Sequence, residues 1–144
     1  MSTVTILRGL PASGKTTFAL DLVETQGYKR VNRDELRAMI DNGHYSPENE
    51  LLIKAARNVI VRINLEIGND VVVDDTNLYF DTVKDIYDIA ISLGADVRVV
   101  DIDTPLEECI RRDAMREKPV GEEAIRMLKE CAERSTDFLH EGKK

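Results

Sequence analysis

Positive charge is in deficit: 20 lysines and arginines face 27 acidic residues, for a net charge of −7 over 144 residues. Proteins that coat duplex nucleic acid are basic, because phosphate contacts dominate their affinity. The balance argues against that class and leaves room for a local basic patch that grips one strand end. Long apolar runs are also missing, and no stretch reaches the roughly 18 apolar residues of a membrane-spanning helix. The opening MSTVTILRGL lacks the basic-then-apolar layout of a signal peptide and reads as a strand that starts almost at once. Cysteine is scarce; Cys109 and Cys131 share no metal-type spacing and read as reduced thiols on helices of a cytoplasmic protein. Aromatic residues make up only 5% of the chain, and Tyr45, Tyr79, Phe80 and Tyr87 read as packing residues, not as a base-stacking platform. His44 and His140 have no partners nearby in sequence and read as exposed. There is no repeat, low-complexity stretch or linker, and the length fits a single domain over residues 1–144.

What is present is enough apolar residue (42%) for a core and enough charge (33%) for a wet surface. Apolar runs alternate with helical patterns, the order of βα units around a parallel sheet. Strands are predicted at Thr3–Arg8, near Tyr28–Val31, at Val71–Val73 and at Asp96–Ile102. The unbroken Val71-Val72-Val73 suits a strand covered on both faces. Helix ends are readable. Ser46-Pro47 caps a helix that runs to about Ile67 and stops at Gly68-Asn69-Asp70. Its apolar stripe is read as Leu52, Ala56, Val59, Ile60 and Ile63. Thr104-Pro105-Leu106-Glu107 has the pattern of a capping box. That helix turns Leu106, Cys109 and Ile110 inward and is ended by Pro119. A last helix is predicted from about Gly121 to Phe138, with a frayed HEGKK tail.

One motif stands out. Gly9-Leu10-Pro11-Ala12-Ser13-Gly14-Lys15-Thr16 fits GxxxxGK[ST], between an apolar strand and an amphipathic helix from Lys15 to about Thr25. Gly9 and Gly14 permit turns that side chains would block. Inward N–H groups at the start of a helix then make an anion nest. Pro11, Ala12, Ser13 and Thr17 complete the predicted nucleotide cradle. Lys15 reaches the β- and γ-phosphates, and Thr16 offers its hydroxyl to magnesium.

Phosphoryl transfer also needs an acceptor-orienting group and positive charge, and both belong at the carboxyl ends of the strands. Asn32-Arg33-Asp34-Glu35-Leu36-Arg37 follows the second strand. Asp34 and Arg37, three apart, share a helix face, as a proton acceptor beside a phosphate clamp or as a surface ion pair. Asp74-Asp75-Thr76-Asn77 ends the third strand. Its two carboxylates point to opposite faces, to hold magnesium-bound water, to contact the acceptor, or to cap the next helix. Arg112 and Arg116, four apart, form either a lid that carries arginine onto the phosphates or a solvated basic face, to which Arg111 belongs. Arg8, late in a core strand, has two duties open to it: facing the nucleotide or pairing with an acid.

GLPASGKTT, VNRDELR, VVVDDTNL and IRRDAMREKPV, in this order over nearly the whole chain, resemble the phage-type polynucleotide 5′-hydroxyl kinase domain. The resemblance implies an α/β P-loop kinase: a three-layer sandwich, a central four-stranded parallel sheet and a helical lid at about 105–138. It implies transfer of the γ-phosphate of ATP, with Mg2+, to the 5′-OH end of DNA or RNA. Lys15 and Thr16 become phosphate and magnesium ligands, Thr16 acting with Asp74 or Asp75. Asp34 becomes the general base and Arg37 the clamp on the acceptor's 3′-side phosphate. Asp75 orients Arg37 or the acceptor, Thr76 touches the acceptor strand, and Arg116, with Arg112 nearby, is the lid arginine. Asp74 stands where the family can have a small polar residue. No fused phosphatase or ligase domain is seen, so other end-repair enzymes would act separately; family members can be homo-oligomers. Two other readings share the cradle: a P-loop kinase of a small hydroxyl compound, such as a sugar acid or antibiotic, and a nucleotide-switched binding module.

Overall fold

The structure, a computed structural model, describes residues 2–142, with side chains described through residue 133. The elements run in the order β1 (Thr3–Arg8), α1 (Lys15–Gln26), β2 (Lys29–Val31), α2 (Arg33–Asp41), α3 (Pro47–Glu66), β3 (Val71–Val73), α4 (Phe80–Leu93), β4 (Asp96–Asp101), α5 (Leu106–Ala114) and α6 (Glu122–Gly142). The four strands form one parallel sheet in the order β2-β3-β1-β4. Parallel pairing places the carboxyl ends of β1, β2 and β3 along one edge, and the loops that carry the motifs leave from there.

Side-chain alternation splits the core into two layers. Val4, Ile6, Val71 and Val73 face α3 and α4, where they meet Ile53, Val61, Leu65, Val83 and Ile86. Leu7 and Val72 face the other way, onto Ala19 and Leu22 of α1 and Tyr28. The result is a three-layer α/β sandwich, as the sequence implied. A third cluster joins Leu10 of the P-loop and Leu78 to Cys109 of α5 and Ile125 of α6. It seats the α5–α6 pair on the working edge of the sheet.

Five expectations need correction. α5 ends at Ala114, a full turn before the predicted stop at Pro119. On α3 the inward row is Ile53, Arg57, Val61 and Leu65, with Ala56 and Ile60 partly buried; Leu52, Val59 and Ile63 are exposed. Arg57 is fully buried, its guanidinium donating to the Thr82 carbonyl at 2.8 Å and to Asn58 Oδ1. A cation in the middle of the inner row hides that row from a hydropathy reading. Thr104 does not cap α5, which starts after Pro105; its hydroxyl instead donates to the Ser13 carbonyl at 2.5 Å. The last helix runs past Phe138 to Gly142, into the predicted frayed tail; residues 143 and 144, like the His140 side chain, lie outside the described residues. Gly9 does not need a left-handed backbone; it is small because a Cβ there would stand 2.8 Å from Ser13 Oγ and 3.1 Å from the Ile102 carbonyl.

Candidate active site

The P-loop takes its shape from its own backbone. Ala12 (φ 63°) and Gly14 (φ 104°) are left-handed, and Ser13 N–H closes a turn onto the Leu10 carbonyl at 3.2 Å. Only glycine adopts that conformation at no steric cost, so Ala12 is a tolerated exception. The Gly9 N–H donates to the Thr76 carbonyl at 3.1 Å, which ties the loop to the end of β3. Lys15 opens α1 and is buried; its Nζ folds back to the Leu10 carbonyl at 2.6 Å. Burial pulls the Lys15 pKa below its usual value, and the nearby Asp74 works against that fall. A phosphate at Lys15 would replace a carbonyl with a full negative charge.

Asp74 and Asp75 leave β3 in opposite directions, as strand geometry requires. Asp74, 1% exposed, accepts the Thr16 hydroxyl at 2.9 Å and Arg30 Nε at 2.8 Å, both on Oδ2. Thr16 and Asp74 are hard oxygen donors of the kind that hold magnesium beside phosphate oxygens. Asp75 turns away from Thr16. Its Oδ1 accepts the Arg33 N–H at 3.0 Å, and its Oδ2, 3.4 Å from Arg33 Nε, has no hydrogen bond. Burial raises the Asp75 pKa, against the pull of Arg33. Neither carboxylate caps α4, whose N-cap is Tyr79.

Asn32 stitches the second motif to the third. Its carbonyl oxygen caps α2 at Glu35 N–H (2.8 Å), and its amide donates to the Asp74 carbonyl at 2.5 Å. The cap places Asp34 in the first turn of α2, 87% exposed and 2.6 Å from Arg37 Nη1. The remaining grip on Arg37 comes from Glu50 on α3, which accepts Nε and Nη2 at 2.6 Å each. Sequence reading missed Glu50, and the expectation that Asp75 orients Arg37 gives way to Glu50 on one side and an Asp75–Arg33 pair on the other. The contact joins residues 13 apart across a helix–helix turn, and no local spacing marks it.

The third wall is the α5–α6 pair. Arg112 Nη1 lies 3.8 Å from where a Cβ on Gly14 would stand, directly over the P-loop. Arg116 donates to Asp113 at 2.7 Å. Asp113, missed in the sequence, also accepts the N–H groups of Val120 and Gly121 at 3.0 and 2.9 Å, and so pins the bend between the helices. Arg8 does not face the cleft; it donates to the Leu78 and Ala132 carbonyls and sits 3.5 Å from Asp101.

These walls enclose one open cleft of about 600 Å³. It is lined by Pro11 through Thr17, by Asn32, Arg33, Asp34 and Arg37, by Asp74, Asp75 and Thr76, and by Arg112, Arg116, Val120 and Leu128. Of the residues assigned to nucleotide, metal, acceptor or catalysis from the sequence, only Gly9 stands behind the wall. Arg33 is the fifth cation of the cleft, beside Lys15, Arg37, Arg112 and Arg116.

Comparison with known proteins fits this arrangement. A family model described as an AAA domain matches residues 4–134. An L-seryl-tRNA(Sec) kinase of Methanococcus maripaludis is 26% identical over 128 residues, 87% of this chain and 50% of that protein. A bifunctional polynucleotide phosphatase/kinase of Schizosaccharomyces pombe is 31% identical over 104 residues, 72% of this chain and 22% of that protein. In a solved structure of the Pnkp1/Rnl/Hen1 RNA repair complex, one chain superposes with a TM-score of 0.82 at 28% identity, over 95% of this chain and 46% of that one. The chain spans half or less of the length of these relatives. With a P-loop at the tip of a parallel sheet and a match from Val4 to Arg134, the chain belongs to the AAA domain family.

Proposed function

We propose that this domain transfers the γ-phosphoryl group of ATP to the 5′-hydroxyl end of a polynucleotide, DNA or RNA. The observation that carries the reading is the single cleft in which the P-loop, the Asp34–Arg37 pair and five cations line the same space. A nucleotide-switched binding module has no use for an exposed carboxylate opposite the P-loop; an alcohol kinase needs one. The cations favour an acceptor that carries phosphate. Two relatives have names that place nucleic acid in the substrate, one a polynucleotide and the other a seryl-tRNA.

In this mechanism the P-loop N–H groups and Lys15 hold the β- and γ-phosphates. Thr16 and Asp74 would hold magnesium, which would supply positive charge to offset the phosphate charge. Asp34 accepts the proton of the attacking 5′-hydroxyl. Arg37 engages the neighbouring phosphate of the acceptor through N–H groups that Glu50 and Asp34 leave available. Asp75 holds the Arg33 side of the acceptor pocket, and Thr76 lies where the strand passes. Arg112 and Arg116 stabilise charge on the moving phosphoryl group. Other end-repair enzymes, not this domain, would process the 3′ end.

The test is transfer of label from γ-labelled ATP, with magnesium, to a 5′-OH oligonucleotide, beside the same oligonucleotide already 5′-phosphorylated. Transfer to the first alone is expected. No transfer to either, with transfer to a sugar acid or an aminoglycoside hydroxyl, would replace this reading with the small-molecule one.

A further inference from the structure

The site assigns no task to Arg30, and yet Arg30 lies in its metal seat. It stands on β2, beside Asp74 at the end of β3, with a side chain that is only 16% exposed. Its Nε donates to Asp74 Oδ2 at 2.8 Å, the same oxygen that accepts the Thr16 hydroxyl at 2.9 Å. The other end of the guanidinium reaches Glu35 Oε2 at 2.5 Å. Glu35 is in the first turn of α2 and its side chain is 68% exposed. One cation therefore spans two carboxylates, one buried between strand and P-loop and one in solvent.

A buried carboxylate is stable only when a cation or several hydrogen bonds compensate it. Thr16 gives Asp74 one hydrogen bond; Arg30 gives it a second with a charge in direct contact, and the Lys15 ammonium adds a charge that makes no hydrogen bond to it. A divalent ion between Thr16 and Asp74 would do the same work at shorter range. Two cations on one oxygen repel strongly in a partly desolvated site. Glu35 offers Arg30 a second station that needs no backbone movement, because the guanidinium already touches it.

We propose that Arg30 is the resident cation of the Thr16–Asp74 seat: it neutralises Asp74 while the nucleotide is absent and withdraws to Glu35 as a divalent ion enters. The bare seat then binds metal weakly, and the ion comes in with the triphosphate. The proposal rests on the P-loop kinase reading only for the place of the metal; the identity of the acceptor does not enter.

The test measures Mn2+ binding to the nucleotide-free protein by electron paramagnetic resonance, up to millimolar metal, with no ATP or acceptor present. Arg30→Gln keeps a hydrogen-bonding group on Asp74 and removes the charge. It should tighten Mn2+ binding at least tenfold, the bulk-water scale for one unit charge lost about 6 Å from a divalent ion. Glu35→Gln, on an exposed side chain, should weaken binding about threefold because Arg30 loses its second station. Asp74→Asn should abolish the tightening when combined with Arg30→Gln. Unchanged, weaker or undetectable binding by Arg30→Gln overturns the proposal, and so does tighter binding by Glu35→Gln if the first variant does not fold. An oligonucleotide assay that fails would sink the proposed function and leave this measurement standing.

Discussion

Replacing Asp113 with alanine should destabilise the domain by about 3–4 kcal/mol, and the figure can be built contact by contact. The carboxylate is 2% exposed and accepts two backbone N–H groups, from Val120 and Gly121, at 3.0 and 2.9 Å. Hydrogen bonds to a charged group contribute about 1.5–3 kcal/mol each; both of these are partly buried, so the lower end applies and the pair gives about 3 kcal/mol. Arg116 is 42% exposed, and its ion pair adds at most about 1 kcal/mol. Against a typical domain stability of about 5–15 kcal/mol, the loss would be plain. Asp113→Asn keeps the volume and one acceptor and should lose about half as much. The chain has no tryptophan, so urea unfolding is best followed by far-ultraviolet circular dichroism. The pH dependence has a defined sign. Burial works against the Asp113 charge, but the Gly121 and Val120 N–H groups and then Arg116 outweigh it and hold its pKa below the ordinary carboxylate value. Its contribution is therefore complete above about pH 4, near the unfolded value, and is lost as pH falls through the folded one. A difference between parent and Asp113→Ala below 1 kcal/mol at neutral pH, or one that grows on acidification, would refute the reasoning.

Three further outcomes follow from the site. Asp34→Asn should lower turnover on a 5′-OH oligonucleotide by about a hundredfold or more, and leave MgATP affinity by calorimetry within twofold, since general-base catalysis contributes about 10²–10⁴. Gly9→Ala should cost about 1–3 kcal/mol in urea unfolding and weaken nucleotide binding, because the Ser13 hydroxyl can rotate away from the new methyl but the Ile102 carbonyl, 3.1 Å off, is backbone. Asp75→Asn should raise stability at neutral pH while activity falls. Burial has raised the Asp75 pKa, so the parent loses stability as pH rises through the interval between the unfolded and folded values, and the difference between the two proteins should shrink at low pH.

Much of the site was legible because its signals are local. The P-loop spacing, the Asp34–Arg37 pair on one helix face and the alternation of Asp74 and Asp75 are properties of single turns and strands, and each appears in the structure with the geometry its spacing implies. What could not be read is what the fold brings from far away. Glu50 reaches Arg37 across the turn between α2 and α3, Arg30 reaches Asp74 from the neighbouring strand, and Thr104 gives up a cap to bond the P-loop 91 residues earlier. The stripe on α3 failed for a different reason. That helix carries two apolar rows, and the buried one contains Arg57, whose charge is compensated by the Thr82 carbonyl and Asn58. A hydropathy pattern ranks such a row below the exposed one.

The hydroxyl of Thr104 has a consequence for anyone who recombines this domain with its relatives. Through the Ser13 carbonyl it fastens the start of α5 to the crest of the phosphate loop, and Leu10 supplies the apolar side of the same joint. Helical arm and loop are therefore one exchangeable part, not two. A chimera that grafts the arm alone inherits a loop with no latch, whereas one that cuts so that residues 9–16 and 104–133 travel together keeps the joint whole.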